Sequence, residues 1–299
     1  MNILVTGANG QLGNEIKEIS RKCEKHRFFY TDVNSVADEY LDITHEESVK
    51  EFIYDNEIDI VINCAAYTNV ETASVAKDSL CGVLNVYGPR NLAVAIKERN
   101  GLLIHISTDY VFRGTKNTPY TEEDVVGPIN DYGSSKLLGE ALVNSCNEKT
   151  IIIRTSWLYS IYGKNFVKTI INKLHNKNEE LKIVDDQIGS PTYANDLAKA
   201  IMVIIDHYAN GTATYGTYHY SNDGVCTWYE FAKAIAEYSG LDELPNIKPC
   251  ESSEFSSKVV RPHYSVLSKK KIMREFGVAV PYWRDSLKKC INKLLNEDL

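Results

Sequence analysis

The chain has 299 residues, 43% hydrophobic and 24% charged, the balance of an ordinary soluble globular protein able to bury a sizeable core. Its net charge of -7, with Lys269-Lys270-Lys271 as the longest basic run, argues against non-specific nucleic-acid binding; that run reads better as a solvated helix face. Met1 leads straight into Ile3-Leu4-Val5, no segment approaches membrane-spanning length, and the seven scattered cysteines form no C-x-x-C pair. The expectation is a cytoplasmic protein with reduced thiols and no nucleic-acid or membrane partner.

Asn2 to Thr6 is a short β-branched run ending in Gly7-Ala-Asn-Gly10-Gln-Leu-Gly13, after which Asn14 to Ser20 continues as an amphipathic helix. A buried strand, a glycine turn and a helix amino terminus in succession form the setting in which backbone N–H groups and the helix dipole hold a pyrophosphate. The alternative is an ordinary glycine-rich turn. Phe28 to Thr31 reads as the second strand, with Asp32 at its end, 19 residues after Gly13. An acid there accepts hydrogen bonds from the adenosine ribose and repels a 2′-phosphate, which favours NADH over NADPH, although Asn34 and Ser35 are small enough to tolerate the phosphate. Asp42-Ile43 could lie beside the adenine, or be a surface acid and a core isoleucine.

Ile58 to Asn63 is a third buried strand, closing on Cys64-Ala65-Ala66-Tyr67, where small residues let a cofactor approach the backbone. Cys64 reads as a packed core thiol. A helical stretch from Lys77 to Arg99 contains Gly88-Pro89, which marks a bend or a break. Leu102 to Ile106 is the fourth strand, with His105 as a hydrogen-bonded core residue, and it ends at Ser107-Thr108-Asp109, hydroxyls able to polarise a carbonyl oxygen. In Tyr132-Gly-Ser-Ser-Lys136 a helix begins, so a phenol and an ammonium four apart project from one face. A phenol at its ordinary pKa of about 10 is a poor acid or base near neutrality, and a neighbouring ammonium brings it closer.

Ile151 to Arg154 is the fifth strand, followed by Trp157 at the strand end, a helix over 165–176 and Leu181 to Val184 as the sixth strand. Trp157 could close over a ligand or pack a loop onto the core. Beyond Pro191 come helical stretches near 194–208 and 227–239, a Tyr-rich piece at 215–220 and a last helix over 284–296. The expected fold class is α/β, a Rossmann-type doubly wound parallel sheet with a smaller, mainly carboxyl-terminal substrate-binding lobe. Residues 1–155 would form the dinucleotide-binding unit, with further sheet elements to about 192 and some later segments; 156–299 would be mainly the lobe. Arg261, in a loop beside Pro262, is the candidate cation for a substrate pyrophosphate, with surface solvation as the competing explanation.

With these residues assembled, the chain resembles the extended short-chain dehydrogenase/reductase family, through Gly7-x-x-Gly10-x-x-Gly13, Asp32, Asn63-Cys-Ala-Ala66, Ser107-Thr-Asp109 and Tyr132-x-x-x-Lys136. Gly10-Gln-Leu-Gly13, Ala65-Ala-Tyr-Thr68, Gly88-Pro-Arg-Asn-Leu92, Ser107-Thr-Asp-Tyr-Val-Phe112, Arg154-Thr-Ser-Trp157, Asp186-Gln-x-Gly-x-Pro-Thr192 and Arg261-Pro-x-x-Ser265-x-Leu267 resemble its dTDP-4-dehydrorhamnose reductase branch. The resemblance implies NAD(P)H-dependent reduction of the C4 keto group of a dTDP-linked 4-keto-6-deoxy sugar. Tyr132 would donate the proton, Lys136 would hold the nicotinamide ribose and tune the tyrosine, and Thr108 would polarise the keto oxygen. Gly10, Gln11, Leu12, Asp32, Asp42, Ile43, Ala65, Ala66 and Tyr67 would line the dinucleotide, and Trp157, with Thr108 and Asp109, would face the sugar. Two features depart from the pattern or stay open. Glu71-Thr-Ala-Ser74 replaces the usual Asp-Lys-Ala-Glu run, and Glu15 is the one acid the resemblance offers for the Mg2+ that joins some relatives as dimers, leaving monomer or homodimer open. A nucleotide-sugar epimerase or dehydratase, or a dinucleotide-binding regulatory subunit like the methionine adenosyltransferase β subunit, are the rival readings.

Overall fold

The computed structural model describes residues 1–34, 39–76, 79–174, 180–240, 246–254, 257 and 259–297. Ser35, Lys77 and Asn176, named in the expectations above, lie outside them. Seven strands, β1 (Asn2–Thr6), β2 (Arg27–Asp32), β3 (Glu39–Tyr40), β4 (Ile60–Asn63), β5 (Leu102–Thr108), β6 (Thr150–Thr155) and β7 (Gly216–His219), form a sheet in the order β7-β6-β5-β4-β1-β2-β3. Every pairing in it is parallel. A parallel sheet needs cover on both faces, and the near-continuous apolar runs of β1, β4, β5 and β6 supply it by alternation. Ile3 and Val5 pack on α1 (Gln11–Ser20) and α6 (Ala194–Ala209) through Ile16, Leu197 and Ile201; Leu4, Val61 and Leu103 pack on α2 (Glu46–Asp55) and α3 (Gly88–Glu98) through Val49, Ile53 and Leu92. Strand order reverses between β1 and β4, which opens a crevice at their carboxyl ends.

Some elements fall elsewhere than expected. Leu181–Val184 is a strand, but it pairs with Ile247–Cys250 in a separate ribbon, and the sheet position after β6 belongs to β7, from the Tyr-rich piece. An apolar run alone does not say which neighbour it pairs with. Helix α6 packs on the central sheet. The lobe's own core gathers Tyr159, Val167, Ile170, Phe231, Trp283 and Leu287 from α5 (Phe166–Leu174), α7 (Trp228–Tyr238), α9 (Trp283–Glu297) and the loop after β6. The triple lysine is solvated only in part, at the exposed Lys270. At the start of α8 (Lys270–Phe276), Lys271 donates to the Thr217 carbonyl at 2.9 Å and Lys269 has only 11% of its side chain exposed.

Two features set the site. Before Gly88-Pro89 the backbone runs through a π-helical turn, Val83–Tyr87, which aims the fully buried Asn85 at the loop after β4: its amide bonds the Tyr67 backbone N–H at 2.8 Å and carbonyl at 3.0 Å, and the Ser135 hydroxyl at 3.0 Å. Helix α4 (Asp131–Cys146), capped by Asn130, buries Gly133, Ser135, Lys136, Gly139, Glu140 and Val143, a face with one apolar side chain. Gly139 lies so close to the Asn85 carbonyl that a Cβ there would sit 2.2 Å from its oxygen. The helix is therefore docked by polar contacts. Glu140 accepts from Arg154 at the end of β6 at 2.6, 2.9 and 3.2 Å, and from the Ser107 hydroxyl at the end of β5 at 2.5 Å. Removing one partner of a buried pair strands the other charge, so Glu140→Ala is expected to cost about 3–5 kcal/mol of unfolding free energy in urea. A loss below about 1 kcal/mol would show that the pair does not hold the helix.

Candidate active site at the reversal of strand order

The turn after β1 is shaped by close approach. Gly7 has φ +66° and a Cβ there would meet the Ala65 nitrogen at 2.6 Å, while one at Gly13 would meet the Gly7 carbonyl oxygen at 2.5 Å. Gly7 thus lets the turn pass against the loop after β4, and Gly13 lets α1 sit on the turn. Helix α1 starts at a glycine with no side-chain cap and has no acid in its first turn, so its unpaired N–H groups and positive end face the crevice. These features fit the pyrophosphate of a dinucleotide. Gly7, Gly10, Asp32, Ile43, Ala65 and Ala66 line a hollow of about 290 Å3 beside the turn. Gly10, Gln11 and Leu12 continue into a cavity of about 590 Å3 that Thr108, Asp109, Tyr132, Lys136 and Trp157 also line.

Thr108 ends β5, Tyr132 stands in the first turn of α4, and Lys136 one turn on is 2% exposed, its Nζ donating to the Ile106 carbonyl at 2.7 Å. Burial pulls the Lys136 ammonium down to about 8; Glu140, Cys81 and Cys64 act in the opposite sense, and His105 lies within reach of its charge. His105 is itself buried, with Nδ1 3.1 Å from the Asn63 amide. The Tyr132 phenol is held above its ordinary value by enclosure in the crevice and by Asp109, against a lowering hydrogen bond with Thr108. Tuning of Tyr132 by Lys136 is therefore not in place in the chain by itself: the ammonium is spent on a carbonyl. Asp109 is 2% exposed and accepts from the Thr108 hydroxyl at 3.0 Å; burial pushes its carboxyl up to about 7, with hydrogen bonds from Ser265 and Thr108 opposing.

Trp157 adopts φ +47°, uncommon for a bulky residue, and stacks on Trp228 with ring centroids 3.7 Å apart and planes 11° from parallel. It lines the cavity and packs against the lobe core. Trp228, which sequence reasoning passed over, lines this cavity and a second one of about 590 Å3 bounded by Phe166, Gln187, Ser252, Val260 and Arg261. Arg261 Nη2 pairs with Glu71 at 2.6 Å.

Several expected residues are placed differently. Asp42 turns from the dinucleotide crevice to accept from the Thr44 N–H and hydroxyl at 2.9 and 2.8 Å, and it borders a separate groove on α2. Tyr67 sends its hydroxyl to Thr72 at 2.5 Å and leaves the lining to Ala65, Ala66 and Thr68. Asp32 borders the crevice, but its oxygens accept from the Asn9 N–H at 3.1 Å and from Asn34 at 3.2 and 3.1 Å, which weakens its case against a 2′-phosphate. Glu15 is 0% exposed and holds Ser160 at 2.6 Å and Asn195 at 2.8 Å, tying α1 to α6 and the loop after β6. A carboxylate enclosed this way does not suit an ion shared across a subunit interface, and among the described residues no three metal-ligating side chains cluster. The Ser107–Glu140–Arg154 cluster was missed; its signal was Glu140, one further turn along the Tyr132–Lys136 face.

Comparison with known proteins places this geometry in context. Residues 1–296 match a family model described as the RmlD substrate binding domain. The spore coat polysaccharide biosynthesis protein SpsK of Bacillus subtilis is 39% identical over 291 residues, 97% of each chain. A crystal structure of a dTDP-4-dehydrorhamnose reductase from Clostridium acetobutylicum superposes with a TM-score of 0.89 at 40% identity, covering 99% of this chain and 100% of that one. That of the dTDP-4-dehydrorhamnose reductase of Bacillus anthracis, in complex with NADP, gives 0.87 at 40% identity over 98% and 99%. Matched along nearly its whole length by sequence and by fold, the chain belongs to the RmlD substrate binding domain family.

Proposed function

We propose that this protein reduces the C4 keto group of dTDP-4-dehydro-β-L-rhamnose to dTDP-β-L-rhamnose with NAD(P)H, a step of nucleotide-sugar and polysaccharide biosynthesis. The observation that carries the reading is one crevice in which a glycine turn at a helix amino terminus opens onto Thr108, Tyr132 and Lys136. Relatives named for this reaction at 40% identity support it, and one of them holds NADP. Gly7, Gly10, Gln11, Leu12, Ala65 and Ala66 would hold the dinucleotide, with Ile43 beside the adenine. Bound there, the reduced nicotinamide supplies the hydride.

The chain's own residues do the rest. Tyr132 directs its hydroxyl at the keto oxygen, and Thr108 would turn its proton there from Asp109, so that both meet the charge that develops on it. Tyr132, held above its ordinary pKa, is fully protonated at working pH, as a proton donor must be, and its proton goes to the C4 oxygen. Lys136 offers a cation for the nicotinamide ribose and against the resulting phenolate. Trp157 and Asp109 bound the sugar. The second cavity, joined at Trp228, is the place for the nucleotide end, with Arg261 as its cation. The protein works in the cytoplasm as a monomer or homodimer, and no helix among the described residues is long and apolar enough to cross a membrane.

Two measurements follow. Absorbance at 340 nm with dTDP-4-dehydrorhamnose should show stoichiometric NAD(P)H oxidation, and Tyr132→Phe should lower turnover about 10²–10⁴-fold while cofactor affinity stays within about twofold. Equal turnover would remove the phenol from the reaction, and hydride returned to the sugar without net oxidation would favour an epimerase. Because the Lys136 ammonium loses its proton as pH rises through about 8, kcat/KM is expected to fall on the alkaline side with an apparent pKa near 8. A profile flat to about pH 10 would mean that the lysine charge is not needed.

A further inference from the structure

Glu71, in the loop after β4, has a specific occupation. Asn69 caps the short 3-10 turn Val70–Thr72 by accepting from the Glu71 N–H at 3.2 Å, which gives the side chain a fixed stem. Its Oε1 then accepts from Arg261 Nη2 at 2.6 Å and from the Ser257 hydroxyl at 2.8 Å. These partners belong to the borders of different cavities: Val70, next to Glu71, lines the one that holds Tyr132, whereas Ser257 and Arg261 line the second one. A ligand with its sugar in one cavity and its nucleoside in the other must carry its diphosphate between them. The Arg261 Nε–H is buried and makes no hydrogen bond, so the guanidinium keeps a donor in reserve beside the one that Glu71 uses.

We propose that the Glu71 carboxylate is a stand-in for the diphosphate of the nucleotide sugar, holding Arg261 and Ser257 in place until the diphosphate displaces it. The proposal rests on the reading of the second cavity as the nucleotide end. Its chemistry is anion exchange. One carboxylate oxygen receives the two donors that a phosphate oxygen would receive, and the pair is loose enough to be exchanged, with 29% of the Arg261 and 40% of the Glu71 side chain exposed. A diphosphate brings more charge and can use both Nε and Nη2 of the fork. Once displaced, Glu71 remains nearby as a like charge, so it weakens retention of both substrate and product.

The test is titration of the full-length protein with dTDP, with thymidine as the diphosphate-free control, comparing wild type, Glu71→Gln and Arg261→Ala. Arg261→Ala should bind dTDP at least about tenfold more weakly, the loss of a charge-assisted hydrogen bond. Glu71→Gln should bind dTDP about two- to fivefold more tightly, as expected when a competing exposed ion pair is removed, with thymidine affinity unchanged. Equal or weaker dTDP binding by Glu71→Gln, or an equal gain for thymidine, overturns the stand-in while leaving Arg261 as the phosphate cation. Unchanged dTDP binding by Arg261→Ala overturns both it and the reading on which it rests.

Discussion

The site depends on a buried carboxylate. Glu140 is clamped between the Arg154 guanidinium and the Ser107 hydroxyl, which stand at the ends of neighbouring strands β6 and β5. Apolar contacts of α4 are few, Val143, Leu137 and Cys146, and the rest of its hidden face is glycine and polar side chains. Taking two charges out of water is expensive, and the penalty is offset only where geometry is good and remaining valences are filled. Here three nitrogen contacts and a hydroxyl fill the carboxylate, while the Arg154 guanidinium, whose Nη1 is buried without a hydrogen bond, lies over the Phe112 ring, 5.2 Å from its centroid. In return the helix has a defined height and rotation over the sheet, and with them Lys136 and Tyr132.

From that constraint the division of labour follows. The reversal of strand order supplies the crevice, Gly7 and Gly13 allow its close packing, and α4 brings an acid and a cation to its far wall. The same enclosure moves three groups in ways that matter for chemistry. The phenol rises and stays protonated, the ammonium falls to about 8, and the Asp109 carboxyl rises to about 7. Asp109 therefore alternates near neutrality between donor and acceptor toward whatever lies against it. Trp228 lines both of two cavities of similar size, and the left-handed backbone at Trp157 is sustained by the Trp157–Trp228 stack and by Gly189, where a Cβ would meet the indole at 2.6 Å.

Much of this was legible from residue order. The strands β1, β4, β5 and β6 announce themselves because both faces are buried, which leaves continuous apolar runs, and these and the half-buried β2 each carry a chemical punctuation mark at or beyond the end: Gly7, Asp32, Cys64, Thr108 and Trp157. The Tyr132–Lys136 spacing needs nothing beyond helix geometry. What stayed hidden depends on partners distant in sequence. Leu181–Val184 looks like a sheet strand until it is seen pairing with Ile247–Cys250, and Glu15 looks like a free acid until Ser160 and Asn195, 145 and 180 residues away, enclose it. Asp42 and Tyr67 stand next to lining residues in sequence, yet local bonds to Thr44 and Thr72 turn their side chains elsewhere. Residue order also does not show that burial and Asp109 raise the phenol while the Lys136 ammonium bonds the Ile106 carbonyl.

The central claim is that a keto sugar is held between the glycine turn and Tyr132, so that hydride and proton reach opposite ends of one carbonyl. Single-turnover reaction with NAD(P)H deuterated at the transferred position of the nicotinamide, followed by mass spectrometry and NMR of the sugar, tests it most directly. The account predicts one deuterium per product molecule, carried on C4, with the oxygen-bound hydrogen exchanging with solvent. Product without the label, or with label at another carbon, would contradict it.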